Sequence, residues 1–239
     1  MADKRRLLRS MPAPVQRVLE LAIPGDHVAW GSLRRLEPYS DSYGFERGTA
    51  IDRYYIERFL AARTHLFRGR GLEVDNPSYL NEFGGERMTS TEVVDINPQN
   101  PQATLVADLT DVGSLPAESY DIIVLTQVLH YVPQPERIVQ NVVQAVAPGG
   151  WILATAPCAG RTLTPAEGID HWRATPASME ALFAENAPTY ERHHEVFGNL
   201  LSGVASLYGL AAGELTPEEL DPKDPRFPLI AAVAVHRPA

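Results

Sequence analysis

Carboxylates recur at the ends of apolar stretches in the middle of this 239-residue chain. Asp75 follows GLEV, Asp95 follows STEVV, Asp108 closes ATLVAD, and Gln127 follows YDIIVLT. If each stretch is a strand of an open parallel sheet, these residues lie where such sheets bind ligands, beyond the carboxyl ends of the strands. A carboxylate accepts from two vicinal hydroxyls at once, which suits a ribose. Asp95 stands about 20 residues past the first strand, the offset at which an acid meets ribose hydroxyls in nucleotide-binding folds. One such acid alone reads as a strand-end turn residue. A succession of them points to a nucleoside site.

The turn after the first strand limits which nucleotide that is. The stretch LEVDNPSYLNEFGG places Asp75, Asn76 and Pro77 where a dinucleotide site needs glycines. A pyrophosphate is held by backbone N–H groups at a helix N-terminus. Asp75 repels a diphosphate and Pro77 has no N–H, so the chemistry disfavours NAD(P). A phosphate-free, positively charged cofactor tolerates the carboxylate. An Asx turn capping the next helix is the alternative reading of Asp75.

Histidines supply the candidate acid–base groups. His130 lies just past Gln127, and its neutral-pH titration suits proton removal; a helix-start histidine touching solvent or a backbone carbonyl explains it equally well. His171, in DHWR, is a second candidate. His193 and His194 are adjacent on an expected edge strand and so face opposite ways. No metal-ligand set emerges. The one cysteine, Cys158, reads as a small buried residue and fits a reducing, cytoplasmic compartment.

The elements around these residues follow from periodicity. From Gly71 onward, apolar stretches alternate with helical patterns, the sign of βαβ units and a parallel sheet with helices on both faces. YDIIVLT and WILATAP are continuous apolar runs, as in strands buried on both faces. PERIVQNVVQAV puts Ile138, Val139, Val142, Val143 and Val146 on one helical face, and Pro148-Gly149-Gly150 stops it. PASMEALFAE and NLLSGVASLYGLA predict helices. YERHHEVFG predicts an edge strand, TPEELDPKDPRFP a surface loop and PLIAAVAVHRP a final strand. Residues 1–68 read as an N-terminal helical extension and lid, and residues 69–239 as the nucleoside-binding domain. Within the extension PVQRVLELAI has helical spacing. Thr49 is placed to cap a helix over AIDRYYIERFLAAR, with Ile51, Tyr55, Phe59 and Leu60 on one face.

Composition sets outer bounds. Hydrophobic residues make up 44% and charged residues 21%, ordinary for a globular chain. A net charge of −9 disfavours a nucleic-acid partner. No apolar run approaches the roughly 20 residues of a membrane helix. The basic start, MADKRRLLRS, lacks the apolar stretch of a signal peptide.

In this order and spacing, LEV, VVDINP, VADLTD, YDIIVLTQVLHYV and VAPGGWILATAP resemble the successive motifs of class I S-adenosylmethionine-dependent methyltransferases, over about residues 69–160. RGTAIDRYYIERFL, HWRATPASMEALF and LAAGELTPEELD further resemble a bacterial subgroup associated with glycosyltransferase or secondary-metabolite genes.

The resemblance implies a Rossmann-like α/β fold: a seven-stranded, mostly parallel sheet whose last strand is antiparallel beside the fifth. It implies S-adenosyl-L-methionine as cofactor, S-adenosyl-L-homocysteine as product and a small-molecule acceptor. Glu73 would lie near the cofactor's amino-acid end. Asp95, with Ile96, would take the ribose. Asp108 and the Leu109 backbone would read the adenine edge, and Gln127 would lie beside the methionine portion. Asp75 departs from the family, whose motif has glycine there; it is a candidate for the cofactor's ammonium group. His130 and His171 are the catalytic candidates for an O-acceptor. Tyr39, Tyr43, Arg47, Asp52, Arg53 and Tyr54 are candidates for lining the acceptor site, and suit a sugar, a phenol or an acidic natural product. The alternative is a methyltransferase-fold protein that binds ligand or catalyses a cyclisation or elimination.

Overall fold

The computed structural model describes residues 12, 31–164, 166 and 168–239. The helix expected over PVQRVLELAI and the basic start fall outside the described residues. The chain divides into two compact units, Met1–Pro38 and Tyr39–Ala239. The second carries the fold.

Seven strands form one sheet: β1 (Gly69–Val74), β2 (Met88–Asp95), β3 (Leu105–Val106), β4 (Tyr120–Thr126), β5 (Val146–Pro157), β6 (Glu191–Phe197) and β7 (Ile230–His236). Their spatial order is β3-β2-β1-β4-β5-β7-β6. The first five pair in parallel, while β7 runs antiparallel to both β5 and β6. The chain reverses strand order at β1 and β4, so the carboxyl ends of those strands open a crevice between them.

Alternation along each strand divides the core. Leu72, Ile123, Leu125, Ile152, Ala154 and Val233 face α2 (Pro135–Ala145) and α3 (Pro176–Asn186), meeting Ile138, Val139, Val142, Met179 and Phe183. Ile122, Val124, Leu153, Ala232 and Ala234 face α1 (Ile51–Ala61) and α4 (Leu200–Leu207). The expected face of α1 is the buried one: Ile51, Tyr55, Phe59 and Leu60. Each such side chain contributes about 1.5–3 kcal/mol by leaving water.

Several local expectations need correction. Thr49 does not cap α1: the N-cap is Ala50 with no side-chain bond. This stretch is instead drawn to residues 211–212, where Ala212 N–H donates to Thr49 C=O at 2.8 Å. Pro148-Gly149-Gly150 does not stop α2, which ends at Ala145; β5 passes through the glycines on a register shift against β4. β3 is far shorter than ATLVAD suggested, since it sits at the sheet edge against β2 alone. The loop expected over TPEELDPKDPRFP holds one helical turn, α5 (Pro217–Leu220), with a Thr216/Glu219 capping box. The β1–β2 connection carries a π-helical turn, Leu80–Gly84, followed by a 3-10 turn, Gly85–Arg87. Gly85, at φ +53°, ends that turn.

Candidate functional site

The turn after β1 keeps a glycine-like backbone without the glycine. Asp75 sits at φ +70°, the left-handed region that Asp and Asn enter more readily than other non-glycine residues. Its N–H donates to Val94 C=O at 3.1 Å. Asn100 Nδ2 donates to its C=O at 2.7 Å. The Asx turn that sequence allowed here is made one residue later, where Asn76 Oδ1 accepts from Ser78 N–H at 3.1 Å. Glu73 points under this turn. Glu73 is 4% exposed, and its carboxylate accepts from the N–H groups of Tyr79 at 3.1 Å and Leu80 at 2.9 Å. Burial pushes its pKa up to about 7, against the lowering effect of those two donors.

Asp95 ends β2 with both oxygens engaged: Asn97 N–H donates to one at 2.8 Å and Asn100 Nδ2 to the other at 2.6 Å. A carboxylate has about four acceptor sites, so it retains capacity for two hydroxyls. Ile96 beside it is an exposed apolar side chain. Asp108, past β3, accepts from Thr110 N–H at 2.8 Å and Thr110 Oγ1 at 2.7 Å. Leu109 is buried. Asn141, fully buried on α2, ties down this loop. It donates to Leu109 C=O at 3.2 Å and Ser114 Oγ at 2.8 Å, and accepts from Gly113 N–H at 3.1 Å.

Between β1 and β4 lies a cavity of about 530 Å³. Glu73, Asp75, Asn76 and Gln127 line it beside the β1 and β4 ends. His130 and Tyr131, on the 3-10 turn Leu129–Tyr131, line its floor, and Tyr43, Phe45, Asp52, Arg53, Arg161, Asp170 and Arg173 complete the wall. Gln127 is held at φ +55°, and its Nε2 is enclosed without a partner among the described residues. His130 Nδ1 is likewise enclosed, without a partner among the described residues. Burial, with a smaller contribution from Arg173, pushes the imidazole down to about 4 against the raising effect of Asp170. It is neutral at pH 7.

The structure brings some expected acceptor-site residues together and not others. Tyr43, Asp52 and Arg53 reach the cavity. The Arg53 guanidinium lies 5.8 Å from the Phe45 ring centroid and 5.6 Å from that of Tyr79. Burial raises the Asp52 carboxyl. Arg47 instead forks onto Glu214. Tyr54 donates to Asp221 at 2.8 Å. Tyr39 packs on Tyr208, with ring centroids 6.3 Å apart. His171 lines a shallower neighbouring groove with Tyr131, Pro133 and Ile169, and its N–H donates to His130 C=O at 2.8 Å. Sequence reasoning passed over Tyr79, Arg161, Asp170 and Arg173. HWR marked the right loop, but nothing in the spacing shows that Asp170 turns inward. Cys158 is partly buried, and burial pushes its thiol up to about 12, so it is no nucleophile at neutral pH.

These residues fit an S-adenosyl cofactor. Carboxylates stand at the first, second and third strand ends, the exposed apolar Ile96 follows Asp95, and the enclosed amide nitrogen of Gln127 has no partner among the described residues. No diphosphate cradle is present at the β1 turn.

Comparison with known proteins agrees. The family described as methyltransferase domain matches residues 44–195. No curated protein matches the sequence. Among solved structures, the chain is similar to an S-adenosylmethionine-dependent methyltransferase from Mesorhizobium loti (18% identity, 79% of this chain and 98% of that one, TM-score 0.53). It is also similar to one from Archaeoglobus fulgidus (14%, 83% and 100%, TM-score 0.54). The cyclase SpnF shares the same fold (15%, 86% and 89%, TM-score 0.52). The chain belongs to the methyltransferase domain family, with a Rossmann-like fold and S-adenosyl-L-methionine as its cofactor.

Proposed function

We propose that the protein transfers a methyl group from S-adenosyl-L-methionine to a hydroxyl of a small-molecule acceptor, a natural product or a sugar-containing compound. The observation that supports this reading is one cavity lined by Glu73, Asp75 and Gln127 together with His130.

When bound, the cofactor would supply a methyl group whose bond to its positively charged sulfur breaks on transfer, leaving S-adenosyl-L-homocysteine. The chain's residues hold and align the reactants. Asp95 and Ile96 would take the ribose, Asp108 and Leu109 the adenine, and Glu73, Asp75 and Gln127 the methionine end. Tyr43, Asp52 and Arg53 would hold the acceptor. The segment from Tyr43 to Arg53 is the part of the expected N-terminal lid on which this reading rests. Orientation supplies most of the rate in such an in-line transfer. His130 Nε2 would accept the hydroxyl proton as the new C–O bond forms. The Nδ1–H of that tautomer has no partner among the described residues, so His130 is a weak base and alignment dominates. We place the enzyme in the cytoplasm and in the bacterial secondary-metabolite subgroup whose motifs it resembles.

A ligand-binding or cyclising role without methyl transfer is the second reading, and it rests on Asp75. Because Asp75 adopts the backbone that a glycine would, the turn keeps its shape and this support weakens.

Calorimetric titration with S-adenosylmethionine, S-adenosylhomocysteine and NADPH tests the first reading. The two adenosyl ligands should bind and NADPH should not. Mass spectrometry of a panel of hydroxylated acceptors should then show methylated product, reduced at least tenfold in His130→Gln. Adenosyl binding with no methylated product would favour the second reading.

A further inference from the structure

The loop after β5 is fastened to the turn that carries His130. His171 N–H donates to His130 C=O at 2.8 Å, and Trp172 Nε1–H donates to Val132 C=O at 2.9 Å. Flanking these anchors, Asp170 and Arg173 close the loop on itself as an ion pair. Both Asp170 oxygens accept from the Arg173 fork, at 2.5 and 2.7 Å. Arg173 also donates to Arg161 C=O at 2.6 Å and Trp172 C=O at 2.9 Å. The Asp170 side chain is only 3% exposed, yet both partners line the cavity beside His130.

An enclosed carboxylate with so much of its capacity given to one guanidinium costs desolvation. Loop closure alone could use an apolar contact. The two opposite charges line the same cavity as His130, and the Tyr131 ring packs against the imidazole with centroids 4.0 Å apart.

We propose that Asp170 and Arg173 form a positioning pair for His130, holding its turn against the cavity and setting, through their opposed charges, how readily the imidazole takes a proton. This rests on the reading of His130 as the acceptor-side base. Asp170 would offset a proton arriving on the ring, and Arg173 would keep Asp170 ionised and limit that offset, so that the proton is released again.

The test is an NMR titration of the His130 imidazole, assigned with His130→Gln, in the wild type, Asp170→Asn and Arg173→Gln. Removing the cation should raise the His130 midpoint by about one pH unit, and removing the anion should lower it. Arg173→Lys, which keeps the charge but loses the fork, should return the midpoint close to that of the wild type. Binding of S-adenosylhomocysteine should be unchanged in all three variants, which also reports that they fold. Midpoints that move the same way in Asp170→Asn and Arg173→Gln, or not at all, would overturn the proposal. Opposite shifts without any methyl transfer by the wild type would support the pair's hold on His130 and count against the methyl-transfer reading alone.

Discussion

Asn100 Nδ2 lies 2.6 Å from the Asp95 carboxylate and, from the same nitrogen, 2.7 Å from the Asp75 carbonyl oxygen. One amide thus ties the end of β2 to the turn after β1, the two places where a nucleoside and an amino-acid tail would be held. A carboxylate fixed in this way loses little freedom when it binds hydroxyls.

Asp95→Ala should therefore raise the dissociation constant for S-adenosylhomocysteine by roughly 10- to 100-fold, as expected for loss of hydrogen bonds to a charged group. Asn100→Ala should weaken binding less, because the carboxylate remains while its orientation loosens. Calorimetry on the two variants measures both, and equal losses would contradict this division of labour.

Asp75 separates backbone from charge. A non-glycine residue in the left-handed region carries a cost of about 1 kcal/mol, so Asp75→Gly should leave thermal stability unchanged or slightly raised. Asp75→Ala should lower it by a similar amount. If the carboxylate meets the cofactor's ammonium group, both variants should weaken S-adenosylhomocysteine binding about equally. Melting curves beside titrations resolve the two effects.

Glu73 predicts a pH dependence. Its folded pKa of about 7 lies above the ordinary 4.5. Its contribution to the stability of the free protein is therefore full below pH 4.5 and is lost as pH rises through 7. A cationic ligand beside it favours the carboxylate, so binding expels a proton. Affinity for S-adenosylhomocysteine should rise with pH between about 4.5 and 7, then level off. Glu73→Gln should flatten that rise, as buffer-dependent binding heats would register.

Asn141→Leu removes the partner of several backbone groups in the loop after β3. Leaving them enclosed should cost roughly 3 kcal/mol, measurable by urea unfolding. The loop after β3 should loosen with it and, if it holds the adenine as proposed, weaken S-adenosylhomocysteine while leaving adenosine-free ligands unaffected.

The order of apolar runs was sufficient to read the parallel sheet, the antiparallel final strand followed only from the family resemblance of the motifs, and the strand-end carboxylates pointed to a nucleoside edge. Strand period and burial are local properties: YDIIVLT is buried on both faces wherever its sheet lies, and Asp95 ends its strand in any such fold. Tertiary structure alone decided the rest. The left-handed backbone at Asp75 depends on contacts with Val94 and Asn100. Asn141 looks like a break in a valine face until the loop after β3 folds over it. Arg47 and Tyr54 share the helix-and-loop segment of Asp52 and Arg53, yet pair with Glu214 and Asp221, more than 160 residues downstream. Asp170 and Arg173 turn inward because their loop is bonded to the His130 turn. Such long-range pairings fix which charges meet a cavity, and local spacing carries no record of them.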